Sequence, residues 1–281
     1  MPRIIDLSMP VTEHFRWKPT FNHTGDLAGG DQYQVTRIET SVHAFTQVDT
    51  PRHILAHGFT TDDLMLEQII GECAIVDITG VSPNKPIPAE TLMSAGAHIR
   101  PGDIALLKAS WDQVYSPHTP EFWSEAPYMT REGSQWLLEQ QVKAVAYDFP
   151  QDYPIRTFLT GETLPFEEHV THDILLRNGV IMVEYLCNTV QLPAKRVFLL
   201  VLPLKIANAD GAPARVIAMD LDALRDTGSD NPCLDMLMIG DFGKDLDDEK
   251  ALVMAVARRR VGLIEKLTVV ANLGDSVMRA R

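Results

Sequence analysis

Residues 41–53 read SVHAFTQVDTPRH and form the strongest local feature of the sequence. The β-branched residues of this stretch favour a strand, and the side-chain period of two places His43, Gln47 and Asp49 on one face. The proline that follows cannot donate to a sheet ladder, so we expect the strand to bend and return His53 toward that face. Imidazole and carboxylate groups are common ligands of divalent metals. The stretch therefore predicts a metal site; the alternative is a solvated strand face with incidental polar residues.

A second pair of candidate residues, His172 and Glu184, lies in the later half of the chain. Glu184 belongs to VIMVEYL (180–186), an apolar, strand-like run. An ionised carboxylate is costly to bury alone, so Glu184 must be exposed, protonated, paired or bound to a metal. The alternative for Glu184 is a salt bridge or an edge-strand position, and His169 is an equal candidate to His172.

Together the two segments supply two imidazoles and two carboxylates as candidate metal ligands: His43, Asp49, His172 and Glu184. The two carboxylate charges balance those of a divalent cation, which favours its burial. His53 is then left over as a proton-transfer group, and the unperturbed histidine pKa of about 6.5 suits that task.

Short β-like runs alternate with helical ones and predict a strand-rich α/β (α+β) domain without a regular βαβ rhythm. We predict strands at 72–78, 103–109, 142–149, 180–186, 196–204 and 214–221, the last two joined by a turn at 210–211. Helices are predicted at 129–141, with Thr130 as N-cap, and at 171–179, ended by Gly179.

The amino-acid composition of the chain changes at 222–234, where a polar stretch with Gly and Pro is typical of a linker. We therefore divide the chain into a main domain, residues 1–225, and an appendage, residues 226–281. The part beyond the linker reads as strand, acidic loop, helix, strand and a final short helix. At about 50 residues it is marginal for a core of its own.

Composition limits the classes of protein to which the chain can belong. Its 281 residues are 45% hydrophobic and 22% charged, as in ordinary soluble globular proteins. The net charge of −13 argues against nucleic-acid binding, and no apolar run is long enough to span a bilayer. The start lacks the apolar region of a signal peptide, and three dispersed cysteines do not suggest a disulfide framework. We expect a cytoplasmic protein that binds neither nucleic acid nor membranes.

Other motifs of catalysis are missing. The sequence contains no G-x-S-x-G, no P-loop and no G-x-G-x-x-G followed by a helix. Serine-hydrolase, NTPase and dinucleotide-binding functions therefore lack their usual support.

The stretch HAFTQVDTPRH (43–53) resembles the motif H-x-G-T-H-x-D-x-P-x-H of the cyclase or kynurenine-formamidase-like superfamily of metal-dependent hydrolases, which includes isatin hydrolases. The matching positions are His43, Thr46, Asp49, Pro51 and His53. His172 and Glu184 are similar to the ligand pair of the second half of the family sequence. LPLKIANADGAPARV (202–216) resembles the closing hairpin of the family. The similarity extends over about residues 1–225 in the same order.

The resemblance implies a swivelling β/β/α fold and a homo-oligomer. It implies hydrolysis of a small-molecule amide, a formamide or a cyclic amide, with zinc or manganese. Carried over by position, His43, Asp49, His172 and Glu184 are implied metal ligands, and His53 is the implied general acid and base.

Two positions depart from the family motif. Phe45 replaces its glycine and is expected to narrow or line the substrate pocket. Gln47 replaces its middle histidine, and a glutamine oxygen is a weaker, harder ligand, so the site is expected to favour manganese or magnesium over zinc. The alternative function is therefore a catalytically impaired family member that binds a small molecule or acts as a scaffold.

The appendage has a separate resemblance. GDFGKDLDDEKALV (240–253) is similar to the aspartate-rich opening of nucleoside hydrolases, which bind calcium there. The implied calcium ligands are Asp241, Asp245, Asp247 and Asp248. The alternative is an acidic, solvated loop that caps the N-terminus of the following helix.

Overall fold

The computed structural model describes residues 3–193 and 195–220, and the backbone of two short strands further on, 236–240 and 267–271. The chain divides into two compact units, Arg3–Asp220 and a smaller one formed by Met1–Pro2 and Leu221–Arg281. Within the described part, no helix combines the length and apolar character needed to cross a membrane.

The larger unit is built mainly from strands. Its strands are β1 (Arg3–Asp6), β2 (Thr20–Gly25), β3 (Val35–Glu39), β4 (Gln47–Asp49), β5 (Ile70–Asp77), β6 (Pro86–Ile87), β7 (Ile104–Lys108), β8 (Tyr128–Met129), β9 (Ala144–Tyr147), β10 (Ile181–Glu184), β11 (Arg196–Pro203) and β12 (Gly211–Asp220). Its α-helices are α1 (Ala89–Ala95), α2 (Pro120–Ser124), α3 (Arg131–Glu139) and α4 (Val170–Ile174). Short 3-10 helices lie at Pro51–His53, Leu66–Gln68, Trp111–Gln113, Tyr153–Leu159, Phe166–Glu168, Leu176–Asn178 and Thr189–Gln191.

The main sheet closes on itself. Its strand order is β1-β12-β11-β5-β7-β9-β10-β4, and β4 pairs with β12 as well as with β10. The central pairs β5–β7, β7–β9 and β9–β10 are parallel, whereas β4 is antiparallel to both of its neighbours. Closure removes the free edge beside β4 and places the 47–49 segment between strands from the last part of the unit. The predicted α/β class is confirmed.

The central strands separate two apolar clusters because alternate side chains of a strand point to opposite faces. Ile75 and Leu106 belong to a cluster contributed largely by the strands. Their neighbours Val76 and Leu107 belong to a second cluster, which includes helix residues such as Leu137. Burial on both faces explains why these strands are continuous apolar runs in the sequence.

The two predicted helices have different outcomes. α3 begins after Thr130, whose side-chain oxygen accepts a hydrogen bond from the Gly133 N–H, as the sequence predicted for an N-cap. The segment predicted as one helix over 171–179 is instead α4 followed by a 3-10 turn, ended by Gly179 at φ 82°. Glycine adopts this left-handed conformation without the steric cost that a Cβ would impose.

The strand predicted over the 43–49 stretch is shorter than expected. β4 contains only Gln47–Asp49, and Phe45 adopts φ 60°, which breaks the alternation of side chains before the strand begins. His43 therefore comes to the site from a bend and not by strand periodicity. The predicted end of the strand at Pro51 agrees with the structure, where a 3-10 turn, Pro51–His53, follows β4.

The smaller unit is described only in its two strands. β13 (Met236–Gly240) and β14 (Leu267–Ala271) pair in parallel, with Met236 opposite Leu267 and Gly240 opposite Ala271. The sequence predicted both strands, one before the acidic loop and one after the helix that follows the loop. The acidic residues after it, Asp241, Asp245, Asp247 and Asp248, lie outside the described residues, so the calcium site stays a prediction.

A fully buried aspartate follows β9. Asp148 accepts hydrogen bonds from the backbone N–H groups of Ala109 (2.9 Å) and Ser110 (2.7 Å) and from the Thr189 hydroxyl. Burial disfavours the charged carboxylate more than these donors favour it, and raises the pKa of Asp148 to about 7. The folded chain therefore holds this proton more tightly than the unfolded chain does.

This difference in proton affinity makes stability depend on pH. From about pH 4 to pH 7 the Asp148 contribution to the free energy of unfolding should fall as pH rises, by up to about 1.4 kcal/mol per unit. Asp148→Asn should remove this contribution, so its stability relative to the parent should rise across that window in urea unfolding curves. Asp26→Asn, at an exposed aspartate directly after β2, is the control. If the free energy of unfolding changed with pH in the same way for Asp148→Asn and for the parent, the prediction would be contradicted.

Candidate functional site

The register of three strands brings the central site residues together. In the antiparallel β4–β10 pair Gln47 lies opposite Glu184, and on the other side of β4 Asp49 lies opposite Gly211. The Gln47 side-chain amide donates hydrogen bonds to Asp49 Oδ1 and to Glu184 Oε2, each at 3.0 Å. Gly211 permits the close approach of His43, since a Cβ there would lie 2.7 Å from His43 Cε1. Strand pairing and the shared Gln47 amide thus bring the carboxylates of Asp49 and Glu184 together.

His172 completes a three-residue group with these carboxylates. One ligand atom each from Asp49, His172 and Glu184 lies within 4.8 Å of the others, and all three residues are buried. His172 Nε2 lies 3.7 Å from Asp49 Oδ2 and 3.9 Å from Glu184 Oε1. Its Nδ1 lies 2.7 Å from Asp152 Oδ2. A proton on Nδ1, donated to Asp152, leaves Nε2 free as a ligand between the two carboxylates.

A second group shares Asp49 with the first. Ligand atoms of His43, Asp49 and His53 also lie within 4.8 Å of one another. His43 Nδ1 is 2.8 Å from Asp49 Oδ1, and His43 Nε2 is 2.7 Å from Asp210 Oδ2. The ring of His53 lies 3.9 Å from that of His43, centroid to centroid, and its Nδ1 is 3.4 Å from Asp210 Oδ2. The 3-10 turn after β4 thus returns His53 to the site, as the proline predicted.

The charges in the site shift several pKa values. Burial and the adjacent charge of Asp49 raise the pKa of Glu184 to about 7. Burial works against protonation of His43, but hydrogen bonds to Asp49 and Asp210 outweigh it and raise the His43 pKa to about 9. Burial lowers the pKa of His53, and the charges of its histidine neighbours act in the same direction. His53 therefore favours the neutral imidazole that can accept a proton at neutral pH.

The donor set fits a divalent cation. Two buried carboxylates and an imidazole nitrogen converge, and the neutral amide of Gln47 is the shared hydrogen-bond donor between the carboxylates. The Gln47 Oε1 atom is buried without a hydrogen-bond partner among the described residues. Carboxylate, imidazole and amide oxygen are ligands that zinc and manganese accept. A cation would attract both carboxylates and would give this oxygen a partner.

One cavity of about 650 Å³ contains most of the predicted site residues. Six of them line it: His43, Gln47, Asp49, His53, His172 and Glu184. His169, the alternative to His172, also lines the cavity, and its ring meets that of His172 edge-on. It forms a further group of possible ligands with Asp152 and His172 but does not join Asp49 and Glu184.

The expectation that Phe45 narrows or lines the pocket is wrong. Phe45 is 1% exposed and packs with Trp17 at a ring-centroid distance of 4.6 Å, so its side chain is part of the core. The backbone of Phe45 is left-handed, so its side chain does not follow the alternation of a regular strand.

Four further residues of the site were missed by the sequence analysis: Arg16, Gln151, Asp152 and Asp210. Gln151 donates a short hydrogen bond to Glu184 Oε1. Asp210 was treated only as a turn residue before β12. The run DFPQD (148–152), at the end of the predicted strand, was a usable signal, since polar residues where a buried strand passes into a loop often serve a site.

Comparisons with known proteins identify the family of the chain. The family model named Cyclase matches residues 5–151. The kynurenine formamidase of Erythrobacter litoralis is 30% identical over 202 residues, which cover 72% of this chain and 84% of that protein.

The chain belongs to the cyclase family.

This membership confirms the family predicted from the sequence. Cyclase-like protein 3 of Arabidopsis thaliana is 31% identical over 198 residues, covering 68% of this cyclase-family protein and 67% of the plant one. Among solved structures, isatin hydrolase A from Labrenzia aggregata, bound to benzyl benzoate, has the same fold. Its TM-score is 0.66 at 19% identity, with 78% of this chain and 93% of that chain covered. A protein described as a potential metal-dependent hydrolase with cyclase activity gives a TM-score of 0.58 at 25% identity, with 78% and 98% covered.

Proposed function

We propose that this cyclase-family protein is a metal-dependent hydrolase that cleaves the carbon–nitrogen bond of a small-molecule amide, either a formamide or a cyclic amide. The observation that carries the proposal is the buried group of Asp49, His172 and Glu184, beside His53 in one cavity. The relatives named kynurenine formamidase and isatin hydrolase support the choice of bond.

Asp49, His172 and Glu184 would hold the metal. His43, which lies beside Asp49, would be a fourth ligand, and Gln47 Oε1 would be a neutral fifth one. We propose zinc or manganese as the metal. When bound, such a cation supplies Lewis acidity, which polarises the amide carbonyl and lowers the pKa of water. Asp152 holds the His172 ring in place through its Nδ1.

His53 would move the protons of the reaction. Asp210 faces its Nδ1, so a proton there leaves Nε2 free to accept a proton from the attacking water. The oxygen of that water forms the new bond to the carbonyl carbon. The proton held by His53 then passes to the leaving nitrogen as the carbon–nitrogen bond breaks. Because burial lowers the His53 pKa, the neutral form needed for the first step predominates near pH 7.

The direct test combines elemental analysis of the purified protein with hydrolysis assays on N-formylkynurenine and isatin. We expect a divalent metal at or near one equivalent and turnover of at least one of the two amides. Protein that binds no metal and cleaves neither would reject the proposal.

Gln47 motivates a second candidate function, a family member without catalysis that binds a small molecule or serves as a scaffold. The Gln47 amide nitrogen bonds to both carboxylates at 3.0 Å, which is the arrangement of a site closed by hydrogen bonds. This candidate requires that the parent protein bind metal poorly.

Replacing Gln47 with histidine separates the two candidates. For an active parent we expect Gln47→His to tighten metal binding roughly tenfold, because imidazole is a better ligand than an amide oxygen, with turnover changed less than about tenfold. Chelator competition and amide assays measure both, with Gln113→His, at an exposed glutamine, as the control. Metal and activity that arise only in Gln47→His would favour the second candidate.

We also propose that residues 1–225 form the hydrolase domain and 226–281 an appendage, and that the protein acts in the cytoplasm as a homo-oligomer. The boundary of the two compact units, after Asp220, supports this division. For the appendage we propose the aspartate-rich calcium site expected from its sequence.

A further inference from the structure

Arg16 is a cation that lines the same cavity as Asp49, His172 and Glu184, the proposed metal-binding group. Its guanidinium carbon lies 4.4 Å from the ring centroid of Trp123 and 4.0 Å from that of Phe158. Its Nη1 donates one long hydrogen bond, 3.4 Å, to the carbonyl oxygen of Ile155. In the part of the chain that the structure describes, no carboxylate lies within ion-pairing distance of the Arg16 nitrogens.

Four arginines of the described residues, in contrast, form ion pairs with carboxylates of the protein. Arg196 bonds to Asp103 and Glu72, and Arg215 bonds to Asp6. Arg16 has aromatic rings instead, which attract a cation but offer no oxygen to its N–H groups. Most of its five donors are therefore available to a ligand in the cavity.

The surroundings of Arg16 suit an anion attached to an apolar group. Burial lowers the pKa of Arg16, yet a guanidinium stays protonated at neutral pH. A largely buried cation without an anion is costly, and a ligand carboxylate offsets that cost. The cavity wall around it includes the apolar side chains of Ile155, Phe158 and Leu164. A guanidinium binds a carboxylate through two parallel hydrogen bonds.

We propose that Arg16 binds a carboxylate of the substrate, so that the protein selects aryl amides that carry a carboxylate over neutral amides of the same shape. The inference rests on the proposed amide hydrolysis. Arg16 is in this view a residue that determines specificity, and the acid-bearing ring lies against the apolar wall while the amide faces the metal-binding group.

The alternative is that Arg16 only balances the charge of Glu184 at a distance. In that case its loss would change the hydrolysis of anionic and neutral amides equally. The ratio of the two rates therefore distinguishes recognition of the substrate from general electrostatics.

The test compares formanilide with the three ring isomers of formamidobenzoate, which differ in the spacing of formamide and carboxylate. We expect kcat/KM to favour one isomer over formanilide by roughly tenfold to a hundredfold, the usual size of a charge-assisted hydrogen-bonding effect. Arg16→Gln should remove most of that preference, and Arg16→Lys should retain part of it. Arg215→Gln, at an exposed arginine, has the same change in charge and should keep the parent ratio.

A binding measurement separates the failure of this inference from that of the proposed function. Benzoate and benzamide are titrated into the metal-loaded protein by calorimetry, without any turnover. Benzoate binding that depends on Arg16, in a protein that cleaves no amide, would support the carboxylate site and reject the hydrolase. Amide hydrolysis without preference for a carboxylate, or a preference that survives Arg16→Gln, would overturn the inference and leave the hydrolase standing.

If Arg16→Gln does not fold, the relative affinities of the parent and of Arg16→Lys for benzoate and benzamide decide the question. Equal affinity of the parent for benzoate and benzamide overturns the inference. Benzoate preferred by tenfold or more, and weakened in Arg16→Lys, supports it.

Discussion

Asp49→Asn is expected to release the metal and to lower kcat/KM by a factor on the order of 10³ or more. Asp49 belongs to both ligand groups of the site, so its carboxylate contacts the His43 side and the His172 side together. Asparagine keeps the volume but loses the charge and one of the two acceptor oxygens. The Gln47 amide would then also lose an anionic partner.

Metal content by elemental analysis and amide turnover measure this prediction. Asp77→Asn is the matched control, because Asp77 is also a strand aspartate but pairs with Lys108 at 3.0 Å outside the cavity. The control should retain parent metal content and activity. Retention of a full equivalent of metal in Asp49→Asn would show that the cation is held elsewhere.

His53→Ala should reduce turnover by about 10²–10⁴-fold while metal content remains near that of the parent. His53 contributes proton transfer in the proposed reaction, and the group of Asp49, His172 and Glu184 forms without it. Added imidazole should restore part of the activity because it can occupy the space of the lost ring. His57→Ala provides the control, since His57 is exposed and does not line the cavity.

The ratio of turnover to metal content decides the role of His53. A His53→Ala protein that loses metal in proportion to activity would make His53 a ligand in the group with His43 and Asp49. A protein with full metal and full activity would remove His53 from the chemistry altogether.

Much of the fold could be predicted because local sequence carries it. The apolar runs at 72–78, 103–109 and 180–186 became strands β5, β7 and β10, since the middle of each is buried on both faces. The first and third runs are also rich in β-branched residues. The helix at 129–141 could be placed through its N-cap at Thr130. The length of β4 was overestimated because the left-handed backbone of Phe45 leaves no signal in the pattern of polar and apolar residues.

The residue types of the site could be predicted, but the hydrogen bonds that hold those residues in place could not. His43, Asp49, His53, His172 and Glu184 were chosen for their ligand and proton-transfer groups, and all five line one cavity. The support of these residues was not foreseen. Asp210 bonds to His43 across 167 positions of the chain, a relationship that no local pattern encodes.

The sequence by itself determined which side chains with ligand chemistry this chain possesses and which segments form strands and helices. Both follow from residue type and from contacts among near neighbours. The tertiary structure alone decided that β4 pairs with both β10 and β12, and so which residues face one another in the cavity. It also decided that Arg16 meets aromatic rings instead of a carboxylate. The physical reason is that barrel closure and long-range packing depend on the whole chain at once, whereas local propensity records only each segment's own preference.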